Sequence, residues 1–194
     1  PLRAKSVMNI GMTTTPSVRY HLRATLTPEH HRAEERALWA ILRKARIDEV
    51  LFFVPHAEER SPGLGTDAEN DAMVRLLRPV FARLRKAGIA PGVYLSCHRN
   101  AYWKVWSHRV GWGRGGEGQA EFARVGARMT EELVSRYGPL CEIWYDAGLL
   151  HPADGGPDVL PIVDRHQKRI VFYHSPQRRE HRWIGNESGL AGDP

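Results

Sequence analysis

Cysteine is scarce in this 194-residue sequence, which contains only Cys97 and Cys141. Two cysteines form neither a disulfide framework nor a zinc-binding spacing, so they say little about the redox compartment. No apolar run approaches the roughly eighteen residues that a membrane span needs. Residues 1–10 lack the long apolar stretch and cleavage site of a signal peptide. We therefore expect no membrane association, and cytoplasmic localisation by default.

The signals for cofactors and metals are also missing. No glycine-rich turn of the dinucleotide-binding type follows the first predicted strand. The chain has ten histidines, but they show no close ligand spacing such as two histidines four residues apart on a helix. The sequence therefore predicts no cofactor and no metal site.

The charge of the chain is basic, with a formal net charge of +6 and an isoelectric point near 9.6. Such a balance can indicate a polyanionic partner. Here the basic residues are spread along predicted helices beside acidic ones, and the dense basic groups are short. We expect solvated helix faces and no nucleic-acid partner. The hydrophobic fraction of 42% with 26% charged residues is ordinary for a globular protein.

Short strand-like segments alternate with helix-like segments along the chain. This alternation implies parallel β/α units, about six of them, in a doubly wound sheet or a β/α barrel. The missing dinucleotide turn counts against the first, so we predict an α/β fold of partial TIM-type (β/α)8 barrel over residues 1–194, a single catalytic domain. The predicted strands are residues 6–11, 49–54, 92–96, 140–146, 169–174 and 182–186. The predicted helices begin at Thr27–Pro28 and span residues 67–87, 119–137 and 157–166.

Candidate chemistry lies where the fourth strand ends. The two-residue period of a strand puts Glu142, Trp144 and Asp146 on one face, and a barrel would place Asp146 at the carboxyl-terminal mouth. The alternative is an aspartate that caps the next loop. Glu187 is a second acid at a strand end. Two carboxylates at one mouth are what a retaining glycosidase requires.

Aromatic and histidine side chains near the predicted mouth suit a sugar. Trp103 lies in a loop with two further tryptophans, and such rings can stack on the apolar face of a pyranose. His98 and His174 follow the third and fifth strands, where they could hydrogen-bond a substrate. For each histidine, a solvated loop position is the alternative.

Three segments resemble one enzyme family in the same order. They are residues 88–96 (GIAPGVYLS), 137–148 (YGPLCEIWYDAG) and 182–187 (RWIGNE). Together they resemble the α-L-fucosidases of glycoside hydrolase family 29, and the third segment resembles the branch that prefers branched fucose linkages. The resemblance covers a little over half of the chain.

The resemblance implies a retaining glycoside hydrolase that cleaves terminal α-linked fucose from oligosaccharides or glycoconjugates. It implies Asp146 as the catalytic nucleophile and Glu187 as the general acid/base. Our predicted substrate-binding residues are His56, His98, Trp103, Trp144, His174, Trp183 and Asn186.

The first 85 or so residues match the family less well. Where the family has histidines that bind fucose hydroxyls, only His56 offers a partial equivalent. This leaves open a fragment truncated at its carboxyl terminus, a divergent member or a composite of two sources. It also leaves two other functions open: a retaining hydrolase for another sugar, and a catalytically silent fragment that binds carbohydrate or a polyanion. The sequence does not determine the oligomeric state.

Overall fold

The computed structural model describes residues 7–11, 17–53, 67–96, 99–100, 105–106, 119–146, 149–168, 170–173 and 177–178. The strands in these ranges are β1 Val7–Gly11, β2 Ser17–Thr25, β3 Glu49–Phe53, β4 Ala90–Ser96, β5 Arg99–Asn100, β6 Val105–Trp106, β7 Glu142–Asp146 and β8 Val171–Tyr173. The α-helices are α1 His31–Leu42, α2 Asp67–Lys86, α3 Gln119–Arg136 and α4 Leu160–His166. A 3-10 turn, Pro152–Asp154, precedes α4.

Six of the strands form one sheet in the order β1-β2-β3-β4-β7-β8. The four successive pairings from β2 to β8 are all parallel. A helix connects each parallel strand to the next, as a parallel crossover requires. The predicted α/β class and its parallel β/α units are therefore confirmed over this part of the chain.

The amino-terminal part departs from the prediction. The first predicted strand is present as β1, but it pairs antiparallel with β2, so it does not belong to a parallel β/α unit. The strand β2 itself was not predicted. Its sequence, SVRYHLRAT, alternates between polar and apolar residues, which is the pattern of a half-buried strand. The predicted strand at residues 182–186 lies outside the described residues.

The helices pack against one face of the sheet. The two-residue period brings Leu22, Val50, Phe52, Val93 and Ile143 to that face, where they belong to one hydrophobic core. The Phe52 and Phe81 rings, from β3 and α2, lie 4.9 Å apart between centroids. The helix residues buried in this core are Leu38, Met73, Leu77, Val80, Phe81, Leu84, Met129, Leu133, Val134 and Val163.

Gly88 caps the carboxyl end of α2. Gly88 has a φ of +78°, a left-handed conformation that glycine adopts without strain. Its amide donates to the Arg85 carbonyl oxygen, and the Ile89 amide donates to the Leu84 carbonyl oxygen. Pro79 lies within α2. Among the described residues, no helix combines the length and the apolar character that crossing a bilayer demands.

Candidate active site

The face of the sheet turned away from the helices carries polar and aromatic side chains. Its members follow from the registers of β2, β3, β4 and β7, in which paired residues of parallel strands point to the same side. We call it the concave face. Its residues include His21, Arg23, Thr25, Glu49, Leu51, Phe53, Ala90, Gly92, Tyr94, Glu142 and Trp144.

Two contacts across the sheet show that this face is concave. β2 and β7 are separated by β3 and β4, which in a flat sheet would put them about 14 Å apart. Nevertheless, His21 Nδ1 lies 3.4 Å from Glu142 Oε2. The Arg23 guanidinium carbon also lies 5.7 Å from the centroid of the Trp144 ring. Side chains of this length meet only if the sheet curves around them.

The carboxyl ends of the parallel strands meet at one edge of the concave face. Asp146 is the last residue of β7 and pairs with Ser96, the last residue of β4. The backbone of Asp146 therefore lies at the carboxyl edge of the sheet, while its position at the mouth of a barrel stays a prediction. Its side chain is outside the described residues, so its catalytic role stays a prediction.

Just below this edge lies an aromatic layer with one positive charge. The Tyr94 and Trp144 rings meet edge to face, 5.6 Å apart at 67°. The Arg23 guanidinium lies over both rings, 5.6 Å from that of Tyr94 and 5.7 Å from that of Trp144. Cation–π contacts of this kind contribute about 0.5–2 kcal/mol, with the larger values for desolvated pairs. Trp144 precedes Asp146 by two residues on β7. The layer therefore brings ring surface and a cation close to the carboxyl end of that strand.

The predicted sharing of a face by Glu142 and Trp144 is confirmed, since each contacts a residue on the same face of β2. Trp144 is only 2% exposed, and Tyr94 and Arg23 pack against its ring. A contact between Trp144 and a substrate therefore stays a prediction.

A buried polar cluster lies at the other end of the concave face. His21, Glu49 and Glu142 are 5%, 3% and 1% exposed. His21 Nε2 is 3.0 Å from Glu49 Oε2, and its Nδ1 faces Glu142 at 3.4 Å. The cluster joins β2, β3 and β7. One donor atom from each of its residues lies within 4.8 Å of the other two, which is a spacing that could hold a metal ion.

The strand between these carboxylates presents almost no side chain. Ala90 pairs with Glu49, while Gly92 lies beside the Glu142 backbone. A Cβ atom built on Gly92 would lie 2.5 Å from Leu51 Cδ2 and 2.9 Å from the Glu142 carbonyl oxygen. Glycine is therefore required for this close approach of the strands.

The remaining predicted site residues lie outside the described residues, so their roles stay predictions. The residues outside the described part of the chain are His56, His98, Trp103, His174, Trp183, Asn186 and Glu187. The distance between the Asp146 and Glu187 carboxyl groups therefore also stays a prediction.

The sequence analysis did not identify His21, Arg23 or Glu49 as candidate site residues. The alternation within β2 could have placed His21 and Arg23 on one face, opposite Leu22 and Ala24. A charged residue at the start of the apolar strand EVLFF was a second available signal. The three-residue cluster was not accessible in this way, because its donors come from three strands rather than from one motif.

Comparison with known proteins shows a similarity to α-L-fucosidases. No protein-family profile matches the chain. The chain is 30% identical over 119 residues to alpha-L-fucosidase 1 of Arabidopsis thaliana, a match that covers 56% of this chain and 20% of that protein. The structure superposes on the crystal structure of a candidate alpha-L-fucosidase from Bacteroides thetaiotaomicron with a TM-score of 0.56 at 28% identity. This second match covers 76% of this chain and 36% of the other.

The resemblance to α-L-fucosidases is thereby confirmed. The chain spans about one fifth of the length of the curated relative and about a third of the solved structure. The similarity supports an α/β fold and relates the chain to glycoside hydrolases.

Proposed function

We propose that this chain carries the catalytic face of a retaining glycoside hydrolase that removes terminal α-linked fucose from oligosaccharides. One observation carries the proposal. In a chain similar to α-L-fucosidases, Asp146 ends β7 at the carboxyl edge of a concave parallel sheet. Active sites lie at this edge in barrels of parallel strands.

We further propose that the sheet is an arc of a TIM-type barrel. Five neighbouring parallel strands with helices on the outer side are what such an arc requires. The contact of His21 with Glu142 supports the curvature. Closure of a barrel would need further strands between β8 and β1, the two edge strands of the sheet.

The proposed reaction has two steps. In the first, a carboxylate oxygen of Asp146 attacks the anomeric carbon while the bond to the leaving oxygen breaks, and that oxygen takes the proton of Glu187. In the second, Glu187 takes a proton from water, and the water oxygen displaces Asp146 from the anomeric carbon. Two inversions give net retention, and the two carboxyl groups should lie about 5–5.5 Å apart.

The aromatic layer serves this chemistry as the floor of the mouth. The positive charge of Arg23, held over Tyr94 and Trp144, favours the ionised form of a carboxylate placed above it. We propose that Asp146 benefits in this way. The remaining predicted contacts to the sugar come from His56, His98 and the other residues proposed for binding.

The test is hydrolysis of a 4-nitrophenyl α-L-fucoside by the parent chain and by Asp146→Ala. We expect turnover by the parent and a loss of at least about 10³-fold in the variant, because no glycosyl intermediate can form. Azide should restore turnover and give the inverted glycosyl azide. The matched control is Asp164→Ala, which removes an exposed carboxylate on α4 and should leave the rate unchanged.

Two outcomes contradict the proposal. Parent-like turnover by Asp146→Ala rejects the nucleophile. Absence of fucoside hydrolysis by the parent chain, together with hydrolysis of another aryl glycoside in a panel, rejects fucose as the sugar. The second outcome favours the alternative function, a retaining hydrolase for another sugar. The sequence also supports this alternative, because His56 alone is a partial equivalent of the family's fucose-binding histidines.

A further inference from the structure

The buried polar cluster of His21, Glu49 and Glu142 is separate from the proposed active site. Glu142 precedes Asp146 by four residues of an extended strand, so it lies about 13 Å below the carboxyl edge. We propose that the cluster binds one divalent first-row cation, best represented by Zn²⁺, that fastens β2, β3 and β7 together at their amino-terminal side. This proposal is independent of the hydrolase activity.

The spacing of the donor atoms suits a small cation. One nitrogen of His21 and one carboxylate oxygen each from Glu49 and Glu142 lie within 4.8 Å of one another. Tetrahedral Zn²⁺ with bonds of about 2.0–2.1 Å holds its donor atoms about 3.3–3.4 Å apart. Because the two ring nitrogens of His21 face different carboxylates, at 3.0 Å and 3.4 Å, binding of one ion requires one of these side chains to reorient.

The burial of the cluster favours a cation as a further partner. All three side chains are at most 5% exposed, and carboxylates taken out of water are stabilised by a positive charge held close to them. A divalent ion among the three donors would interact with both carboxylates at once.

The intervening strand leaves the space that such a site needs. β4 contributes only Ala90 and Gly92 to the concave face at this level. The side chain of Glu142 can therefore reach past β4 to His21. A larger side chain at either position would stand between the donors.

The donor set selects among divalent ions. One imidazole nitrogen and two carboxylate oxygens are donor types that Zn²⁺ accepts, with four donors around the ion. The fourth position is available to the second oxygen of a carboxylate or to a water. Ca²⁺ takes six to eight oxygen donors, and Mg²⁺ keeps several waters, which a site this buried accommodates poorly. The role that fits its distance from the strand ends is structural.

The test uses the whole chain, freed of metal with a chelator and then titrated separately with Zn²⁺, Mg²⁺ and Co²⁺. We expect uptake of one Zn²⁺ per chain and a rise in Tm of about 5–10 °C at a hundredfold excess over Kd. Mg²⁺ should not raise Tm. Co²⁺ should give the intense visible absorption of a tetrahedral site. No Zn²⁺-dependent change in Tm overturns the proposal.

The variants locate the site. Glu142→Gln keeps the size of the side chain, and we expect it and His21→Ala to lose the Co²⁺ spectrum and to weaken Zn²⁺ binding at least about tenfold. The control is His166→Ala, a surface histidine that pairs with Glu131, which should bind as the parent does. Parent-like binding by Glu142→Gln, or loss of binding in His166→Ala alone, shows a surface site and overturns the proposal. If His21→Ala does not fold, the proposal is tested by Glu142→Gln and by the Zn²⁺ titration of the parent chain.

Discussion

The two faces of the sheet are built from the same strands but differ in chemistry. On the helix-facing side, β2, β3 and β7 contribute residues such as Leu22, Phe52 and Ile143, all at most 5% exposed. On the concave side, the same strands contribute His21, Glu49 and Glu142, which are buried to the same extent. Burial therefore does not distinguish the faces. The helix-facing side obtains its stability from apolar packing, whereas the concave side requires compensation of each polar group.

The largest stability effect should come from the helix-facing side. Phe81 is fully buried and contacts the Phe52 ring at 4.9 Å and the Tyr137 ring at 5.7 Å. Phe81→Ala should lower the free energy of unfolding by about 3–5 kcal/mol, because it leaves a cavity between β3 and α2. Urea denaturation measures this loss. Arg75→Ala, an exposed change on the same helix, should cost less than about 0.5 kcal/mol. Equal losses would show that the core is not where we place it.

A smaller effect should come from overfilling the concave side. Gly92→Ala puts a methyl group against Leu51 Cδ2 and the Glu142 backbone, which should destabilise the chain by about 1–3 kcal/mol. In a Leu51→Ala background, which has its own cavity cost, the added cost of Gly92→Ala should be smaller, since one of the two clashes is gone. The measurement is a double-mutant cycle by thermal unfolding. Additive effects would contradict the close approach of β3, β4 and β7.

Loss of the cation in the aromatic layer should cost less again. Arg23→Met keeps an unbranched but shorter side chain and removes its charge, so the free energy of unfolding should fall by about 0.5–2 kcal/mol. Arg23→Lys should recover part of this energy. In the proposed hydrolase, Arg23→Met should also move the acidic limb of the kcat/KM profile to higher pH, because the cation near Asp146 is lost. An unchanged acidic limb would show that Arg23 acts in folding alone.

The smallest effect is confined to alkaline pH. Burial raises the pKa of the Tyr137 phenol well above its ordinary value near 10, while the nearby Arg136 opposes the shift. The unfolded chain then releases this proton first, so stability is complete below about pH 10 and falls as the pH rises toward the folded pKa. Tyr137→Phe should make the free energy of unfolding less dependent on pH in that range. A pH series of urea denaturation curves tests this, and an unchanged alkaline slope would contradict it.

The sequence predicted the helix-facing side far better than the concave side. Residues such as Leu77 and Leu133 repeat at helical spacing, and strands such as Glu142–Asp146 are short apolar runs, so local pattern suffices to find them. β2 was missed because its alternation lies between a Thr-rich segment and a helix start. β1 is joined directly to β2 in the chain, and this favours antiparallel pairing. Because β2 was not predicted, the pairing of β1 could not be predicted either.

For the candidate site, the sequence predicted only the relations between residues of one strand, β7. Period two was enough to place Glu142 and Trp144 on one face and Asp146 at its end. The meeting of His21 with Glu49 and Glu142 depends on the order and curvature of strands that are distant in the sequence. No spacing along the chain encodes that meeting, so metal-ligand motifs do not reveal it.

The most direct test of the proposed hydrolase is to trap its glycosyl intermediate. A 2-deoxy-2-fluoro-fucosyl fluoride slows both steps but leaves a good leaving group, so a covalent adduct should accumulate on the nucleophile. Peptide mapping by mass spectrometry of the labelled chain then identifies the modified carboxylate. The account predicts one fluorofucosyl group per chain, attached to Asp146. A label on any other carboxylate, or an unlabelled chain that hydrolyses fucosides, would contradict it.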